Sequence, residues 1–514
     1  MSFFKNLSIQ SNTILIIASI GLIKAPMVIR DILLTFYFGI DKNLDVYFYS
    51  LIFPVFFLGI FSAGLTAFFI PAYLSIKKEG KHAAMQFAGQ VFVFMMVIIA
   101  FLVLSLAYTV PQLTEKLNPA FLEMSYYHTL LRWTWIFFIF SMLGIILSSL
   151  LQAEHRYFKS LYPQMLVASG SILSVVLFYK SLGVVSAILG SALGAMLCFA
   201  VYYFYCRRAK LIHPPTLKNP SEKIPIQLGQ FWILILTFSI PCLMPLIDQY
   251  MASTLKEGSL SIFNYGTRIP DGLAEIFSSG LGVAVFSHFS QWHVESKNHL
   301  IVDATRKAVT LATLFILPLC AFILILAQPI ISIIFERGAF SRNATLEVSR
   351  VLQFYSFFTY FSILSILGTR AISALKKNYF LLLSTLVALT VKVILNLIFV
   401  RFLGVAGLAL ANIGTLFLYC CLIYCFLAMK KVHIFEKVFI SKLTVCSGGA
   451  ALIAFILTLA NQCFSSLSDL YQILIGFSIL SVLFIFIFKV FIKYKIISIS
   501  EFKANLPQLD TSQT

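Results

Sequence analysis

Long apolar stretches alternate with short polar ones from one end of this chain to the other. Runs of ~20 apolar residues, each long enough to cross ~30 Å of hydrocarbon, are centred near residues 24, 60, 97, 141, 170, 195, 240, 277, 320, 360, 390, 416, 450 and 481. Strands of a membrane barrel would alternate polar and apolar side chains, and these runs do not. The pattern predicts an all-α polytopic membrane protein with about fourteen transmembrane helices. The first run continues past Lys24 into "VIRDILLTFYFG" without a small-residue cleavage site, so it reads as helix 1 and not as a removable signal.

Two of the runs are nearly copies. "PVFFLGIFSAGL" at Pro54–Leu65 and "PDGLAEIFSSGL" at Pro270–Leu281 share a proline followed by I-F-S-x-G-L in the same register. They fall in helices 2 and 8, which run in the same direction. A small-residue packing motif can recur by chance, but the shared proline spacing and orientation favour a parallel duplication of six helices. Two lobes related by an axis along the membrane normal, with a binding site between them, are then expected. The expected division is an N-lobe over 1–210, a cytoplasmic linker over 211–226, a C-lobe over 227–432, two appended helices over 433–498 and a cytoplasmic tail over 499–514.

Composition agrees with the class: of 514 residues 60% are hydrophobic and 11% charged, with mean hydropathy +0.93, against about 25% charged in soluble domains. Net charge is +18, and its distribution excludes a nucleic-acid reading. With fourteen alternating spans and a cytoplasmic N-terminus, the cytoplasmic segments hold 24 of the 38 Lys and Arg and the opposite side seven. That asymmetry places both termini in the cytoplasm. The nine cysteines show no metal-ligand spacing, so neither metal, disulfide nor cofactor is expected. There is no GxxxxGK[ST], HExxH or GxSxG motif, and the external loops are short, the longest being about twenty residues around "YTVPQLTEKLNPAFLEMS". A membrane enzyme is disfavoured and a transporter needs none of these features.

Seven basic residues remain inside the predicted spans. Arg132, Arg350 and Arg370 sit near helix ends, where long side chains reach the interface. Lys24, Arg30, Arg268 and Lys392 lie deeper. A charge near the bilayer centre costs at least ~2.5 kcal/mol, so each should face a polar cavity or a partner. Lys24 and Arg30 are six apart on helix 1, which sets them ~240° apart around it. Arg268 precedes Pro270, with Asp271 and Glu275 following at i+3 and i+7, so an intrahelical pair with Asp271 is one reading. The other is a cationic cleft formed by Lys24, Arg30 and Arg268, suited to an anionic and especially a phosphate-bearing substrate. Such a cleft would repel a cationic drug.

These residues sit in segments that resemble the MurJ/MviN family of lipid II flippases, within the multidrug/oligosaccharidyl-lipid/polysaccharide exporter superfamily. "IRDILLTFYFGIDKNLDVYF" resembles the family's first signature through Arg30, Asp31, Phe38, Gly39 and Asp45. "FSAGLTAFFIPAY" carries Gly64 and Pro71. "DQYMASTLKEGSLSIFNYGTRI" is similar to the helix 7–8 hairpin through Asp248, Ala252, Ser253, Leu255, Gly258, Tyr265 and Arg268. "IIFERGAFS" and "GVAGLALAN" resemble an external loop and the start of helix 12. The resemblance covers nearly the whole chain.

The resemblance implies alternating access in a bacterial cytoplasmic membrane. Lys24, Arg30 and Arg268 would hold the diphosphate of an undecaprenyl-linked saccharide, and helices 13 and 14 would take its lipid tail. Asp31, Asp45, Asp248 and Asp271 become candidate cleft or gating acids, and the implied partners are membrane lipids and cell-wall synthesis enzymes. Three departures stand out. Lys24 replaces an arginine, keeping charge but losing the fork. Leu58 stands where the family has a further helix 2 arginine, with Ala63 at the usual glutamate. "ISALKKNYFL" replaces the pattern after helix 10. In helix 11, where some members place a polar sodium ligand, Lys392 lies one turn before Asn396, so its ammonium is a candidate substitute for a bound cation, facing Asp248, or a partner that only neutralises a carboxylate. Lipid II is the expected substrate, and another polyprenyl-diphosphate saccharide the alternative.

Overall fold

The computed structural model describes residues 9–211, 224–294, 298–375, 377–430, 432, 434–464 and 467–493. The predicted linker 211–226 falls mostly outside this set. So do the tail 499–514 and the side chains of the second I-F-S-x-G-L copy from Ser278 onward.

The described chain is helical. In order it forms α1 (Ile9–Phe38), α2 (Lys42–Glu79), α3 (Lys81–Leu117), α4 (Pro119–Leu122), α5 (Tyr127–Ala153), α6 (Tyr157–Leu161), α7 (Met165–Leu182), α8 (Val185–Arg208), α9 (Ile224–Ser253) and α10 (Ser259–Val294). There follow α11 (Asn298–Ile325), α12 (Ala327–Phe335), α13 (Arg342–Tyr355), α14 (Phe358–Ala374), α15 (Asn378–Leu403), α16 (Val405–Met429), α17 (Lys437–Cys463) and α18 (Asp469–Lys493). Eleven helical segments among the described residues are long and apolar enough to cross a membrane. Three more helices, α1, α9 and α10, of 30, 30 and 36 residues, occupy the remaining predicted runs. The protein is therefore an all-helical, multi-pass membrane protein, because hydrocarbon forces every backbone polar group to be satisfied within its own segment.

One expectation changes. The stretch read as the longest external loop is mostly helix: α3 runs through Pro111 to Leu117. At 1.5 Å per residue its 37 residues extend roughly 56 Å, well beyond the hydrocarbon. Thr114 anchors the extension by sharing a hydrogen bond with the Tyr127 hydroxyl at 2.7 Å and donating to the Val110 carbonyl at 2.8 Å.

The helices gather into two compact units. The first comprises Met1–Gly266, Ile334–Val348 and Thr385–Ala411. Its core joins Phe61, Leu65, Phe69 and Tyr73 of α2 to Phe87 of α3, Phe138, Ile146 and Leu150 of α5, and Tyr202 of α8. α7 and α8 meet through small residues: a Cβ on Gly190 would lie 2.3 Å from the Gly170 carbonyl oxygen, and one on Gly194 2.3 Å from that of Leu166. The G-S-A-L-G spacing of Gly190 and Gly194 brings the two backbones together, as small residues do in membranes. Within the same unit the "FERGAF" segment clips onto the end of α1. Ala339 N–H donates to the Phe36 carbonyl at 2.9 Å, and Gly338, at φ +61°, leaves no room for a Cβ against that oxygen.

The second unit comprises Thr267–Ile333, Ser349–Ser384 and Asn412–Thr514. Its core is built from Ile301, Val309 and Cys320 of α11, Ile363, Leu367 and Ala371 of α14, Ile423 and Leu427 of α16, and Phe439 of α17. Arg306 ties α11 to the segment before α17, donating to the Ile434 carbonyl at 2.9 Å and pairing with Glu436 at 2.9 Å.

Candidate functional site

One cluster of buried charge in the first unit joins α9 to α15. Lys392 and Asn396 are four apart on α15 and so share a face. Both reach Asp248 near the end of α9: the ammonium donates to Oδ2 at 2.8 Å and the Asn396 amide to Oδ1 at 2.9 Å. Lys392 and Asn396 have no solvent exposure, and Asp248 has 3%. Removing two charges from water is expensive, and close opposite charge with further hydrogen bonding compensates it. Here each carboxylate oxygen has its own donor. The contact considered from sequence, Lys392 to Asp248, is present. The Asn396 carbonyl oxygen is buried without a hydrogen-bond partner among the described residues.

Arg30 and Asp31, neighbours on α1, form a second pair. Nε and Nη2 of Arg30 both donate to Oδ1 of Asp31, at 3.0 and 2.7 Å. Two of the five guanidinium donors are thereby used, which leaves others for a ligand. Lys24 is half-buried on the same helix, separated from Arg30 by Pro26. A proline inside a helix removes a backbone bond and bends it, so the relative direction of these two cations depends on that residue.

Asp45 serves a different element from its own. Its carboxylate, 4% exposed, accepts from Gly258 N–H at 2.7 Å, Ser261 N–H at 2.8 Å and the Ser261 hydroxyl at 2.6 Å. It supplies from α2 the N-terminal cap that α10 would otherwise need from its own sequence, and its negative charge sits at the positive end of the helix dipole. Asp41 meanwhile caps α2 itself, accepting from Leu44 N–H at 3.0 Å.

In the second unit, Asp271 of α10 accepts from the Tyr355 hydroxyl at 2.9 Å, and Thr359 donates to the Pro270 carbonyl at 3.0 Å. These bonds fix the turn of α10 that follows Arg268, itself half-buried. The structure thus brings Asp248, Lys392 and Asn396 together, pairs Arg30 with Asp31, and gives Asp45 and Asp271 hydrogen-bond partners that sequence reasoning did not supply. Sequence reasoning also missed a cluster at the end of α5: Glu154 accepts from Lys77 at 2.7 Å and from the Tyr73 hydroxyl at 2.8 Å.

The fold is that of an all-helical, multi-pass membrane protein with ion pairs buried among its helices. The solved inward-facing structure of a multidrug resistance MATE family transporter of the MOP superfamily is similar over 79% of this chain and 94% of its own, at 16% identity and a TM-score of 0.67. Likeness is greater to a lipid II flippase MurJ solved in an inward closed conformation: TM-score 0.78 over 94% of this chain and all of that one, at 22% identity. The family model described as "Lipid II flippase MurJ" matches residues 34–494, and the chain belongs to that family. Relatives described as probable lipid II flippases MurJ include one from Borreliella burgdorferi, 23% identical over 84% of this chain and 86% of its own length. Another, from Thermotoga maritima, is 25% identical over 87% and 90%.

Proposed function

We propose that this protein moves lipid II, the undecaprenyl-diphosphate-linked peptidoglycan precursor, from the inner to the outer leaflet of the bacterial cytoplasmic membrane by alternating access. The observation that carries this is the family match across residues 34–494. The protein is a transporter and not an enzyme. In this reading residues 1–210 and 227–432 act as two lobes, residues 433–498 offer the lipid tail a groove, and both termini lie in the cytoplasm. Lys24, Arg30 and Arg268 hold the diphosphate, where a guanidinium's paired N–H groups match phosphate oxygens. Lys392 supplies, through a covalent tether, the positive charge that a bound cation would bring to Asp248. Membrane lipids surround the chain, and cell-wall synthesis enzymes are its expected partners.

A second reading rests on Leu58. An apolar side chain where the family resemblance implies an arginine weakens diphosphate or headgroup contact on α2, which favours a different polyprenyl-diphosphate saccharide. Complementation separates the two. In a bacterium depleted of its own lipid II flippase, rescue of growth and of externalised lipid II by the wild type but not by Arg268→Ala is expected. Failure of the wild type despite normal membrane expression would reject lipid II as substrate.

A further inference from the structure

Arg268 stands two residues before the one proline of its helix, in the stretch "YGTRIPDG" from Tyr265 to Gly272. Pro270 has no N–H to donate, and its ring crowds the carbonyl four residues back, that of Gly266. Glycine at 266 and 272 loosens the same stretch, since it is a poor helix former. Packing does not hold Gly272 either: an added Cβ there would meet no atom within 4 Å. α10 also passes from the first compact unit to the second between Gly266 and Thr267. A guanidinium that is to meet phosphate oxygens with paired N–H groups needs a fixed direction, and the local sequence of α10 does not supply one.

Two side chains from later helices do. Tyr355, the last residue of α13, donates its hydroxyl to Oδ1 of Asp271 at 2.9 Å. Thr359, in the first turn of α14, donates to the Pro270 carbonyl at 3.0 Å. Both donors are buried. They flank the interruption at Ser356 and Phe357 that separates α13 from α14. The Tyr355 ring stacks on Phe358 with centroids 4.5 Å apart, which fixes where its hydroxyl points. Arg268, Pro270, Asp271, Tyr355 and Thr359 all belong to the second unit.

The plain alternative is that these bonds only help the helices pack. Other threonines of the same unit show what packing alone requires. Thr305, Thr310 and Thr313 each donate to the carbonyl four residues back in their own helix, the usual outlet for a hydroxyl on a helix inside a membrane. Thr359 crosses to another helix instead, and it does so at the carbonyl of the proline. Tyr355 takes the very next residue. Both bonds land on the turn that follows Arg268.

We infer that Tyr355 and Thr359 are positioning residues: they pin the Pro270–Asp271 turn of α10 to α13 and α14, and so set the direction in which Arg268 presents its guanidinium. The inference rests on the proposed role of Arg268 in holding the diphosphate, and adds how the second unit keeps that side chain in place. A donor that is ordered before its ligand arrives loses less freedom on binding. Tyr355 and Thr359 act through Arg268 and not by touching the substrate.

The test uses the full chain in lipid nanodiscs, with undecaprenyl diphosphate as the probe. Tyr355→Phe and Thr359→Val each remove one donor and keep the side chain's shape, while Thr359→Ser keeps the hydroxyl. Tyr355→Phe/Thr359→Val should bind about tenfold more weakly than the wild type, with faster amide hydrogen exchange at 268–273. Thr359→Ser should bind as the wild type does. The same double substitution should cause no further loss in Arg268→Ala, measured on the binding that Lys24 and Arg30 leave to that variant, because there is no guanidinium left to aim. A pair that only supports packing would weaken both backgrounds equally. Wild-type affinity in Tyr355→Phe/Thr359→Val, or an equal loss in the Arg268→Ala background, would overturn the positioning role and leave the flippase reading intact. Wild-type affinity in Arg268→Ala itself would instead reject the diphosphate site on which the inference rests.

Discussion

Asp45 and Ser261 are hydrogen-bonded to each other twice, and they lie 216 positions apart. That is the same interval that separates Pro54 from Pro270 at the head of the repeated I-F-S-x-G-L segments. The pair joins the start of α2 to the start of α10. It also makes the start of α10 dependent on a side chain of α2.

Asp45→Ala should therefore loosen the beginning of α10. Two backbone N–H groups and one hydroxyl lose their acceptor, and each buried unsatisfied donor costs about 1–3 kcal/mol. Faster amide hydrogen exchange at 258–262 than in the wild type is the expected outcome, with Asp45→Asn falling between. Unchanged exchange in Asp45→Ala would show that the cap is dispensable.

Lys392→Met should be strongly destabilising, by about 3–5 kcal/mol, because it strands a buried carboxylate. The double variant Asp248→Asn/Lys392→Met should recover most of that loss, since breaking a buried pair is worse than removing it. Thermal unfolding in detergent reads both. Transport by the wild type should not require sodium, and a clear sodium requirement would reject Lys392 as a built-in cation.

Arg268→Ala should abolish lipid II externalisation while inserting normally, and Arg268→Lys should retain partial activity, because an ammonium preserves the charge without the paired donors. Equal activity of Arg268→Ala and wild type would remove Arg268 from the binding site.

The Glu154 cluster predicts a pH dependence. Burial acts to raise the Glu154 carboxyl, but hydrogen bonds from Lys77 and Tyr73 and the nearby Arg156 charge outweigh it and hold it below the ordinary carboxylate range. A folded-state value below the unfolded one means stabilisation present at neutral pH and lost as pH falls through the folded value. Glu154→Gln should thus melt earlier than wild type at pH 7, and the gap should narrow as pH falls below the ordinary carboxylate range. A pH-independent gap would point to shape alone.

The spans were legible because twenty apolar residues in a row permit little else. Lys392 was legible as well: a cation in the middle of helix 11 demands a carboxylate, and Asp248 was available on a neighbouring hairpin. Asp45 was not, because nothing local to "KNLDVYF" reveals that its carboxylate caps a helix beginning at Ser259. α13 was absorbed into its neighbour, since "RNATLEVSRVLQFY" has too many polar residues to register as a span yet stays helical before α14.

The buried Lys392 has a kinetic meaning. An ion held by coordination has an off-rate and an occupancy that tracks its concentration on either side of the membrane. An ammonium on its own helix has neither. The Lys392 side chain beside Asp248 is present once per chain and travels only as far as α15 itself travels. In the proposed reading, no step of the cycle would wait for it to arrive or leave.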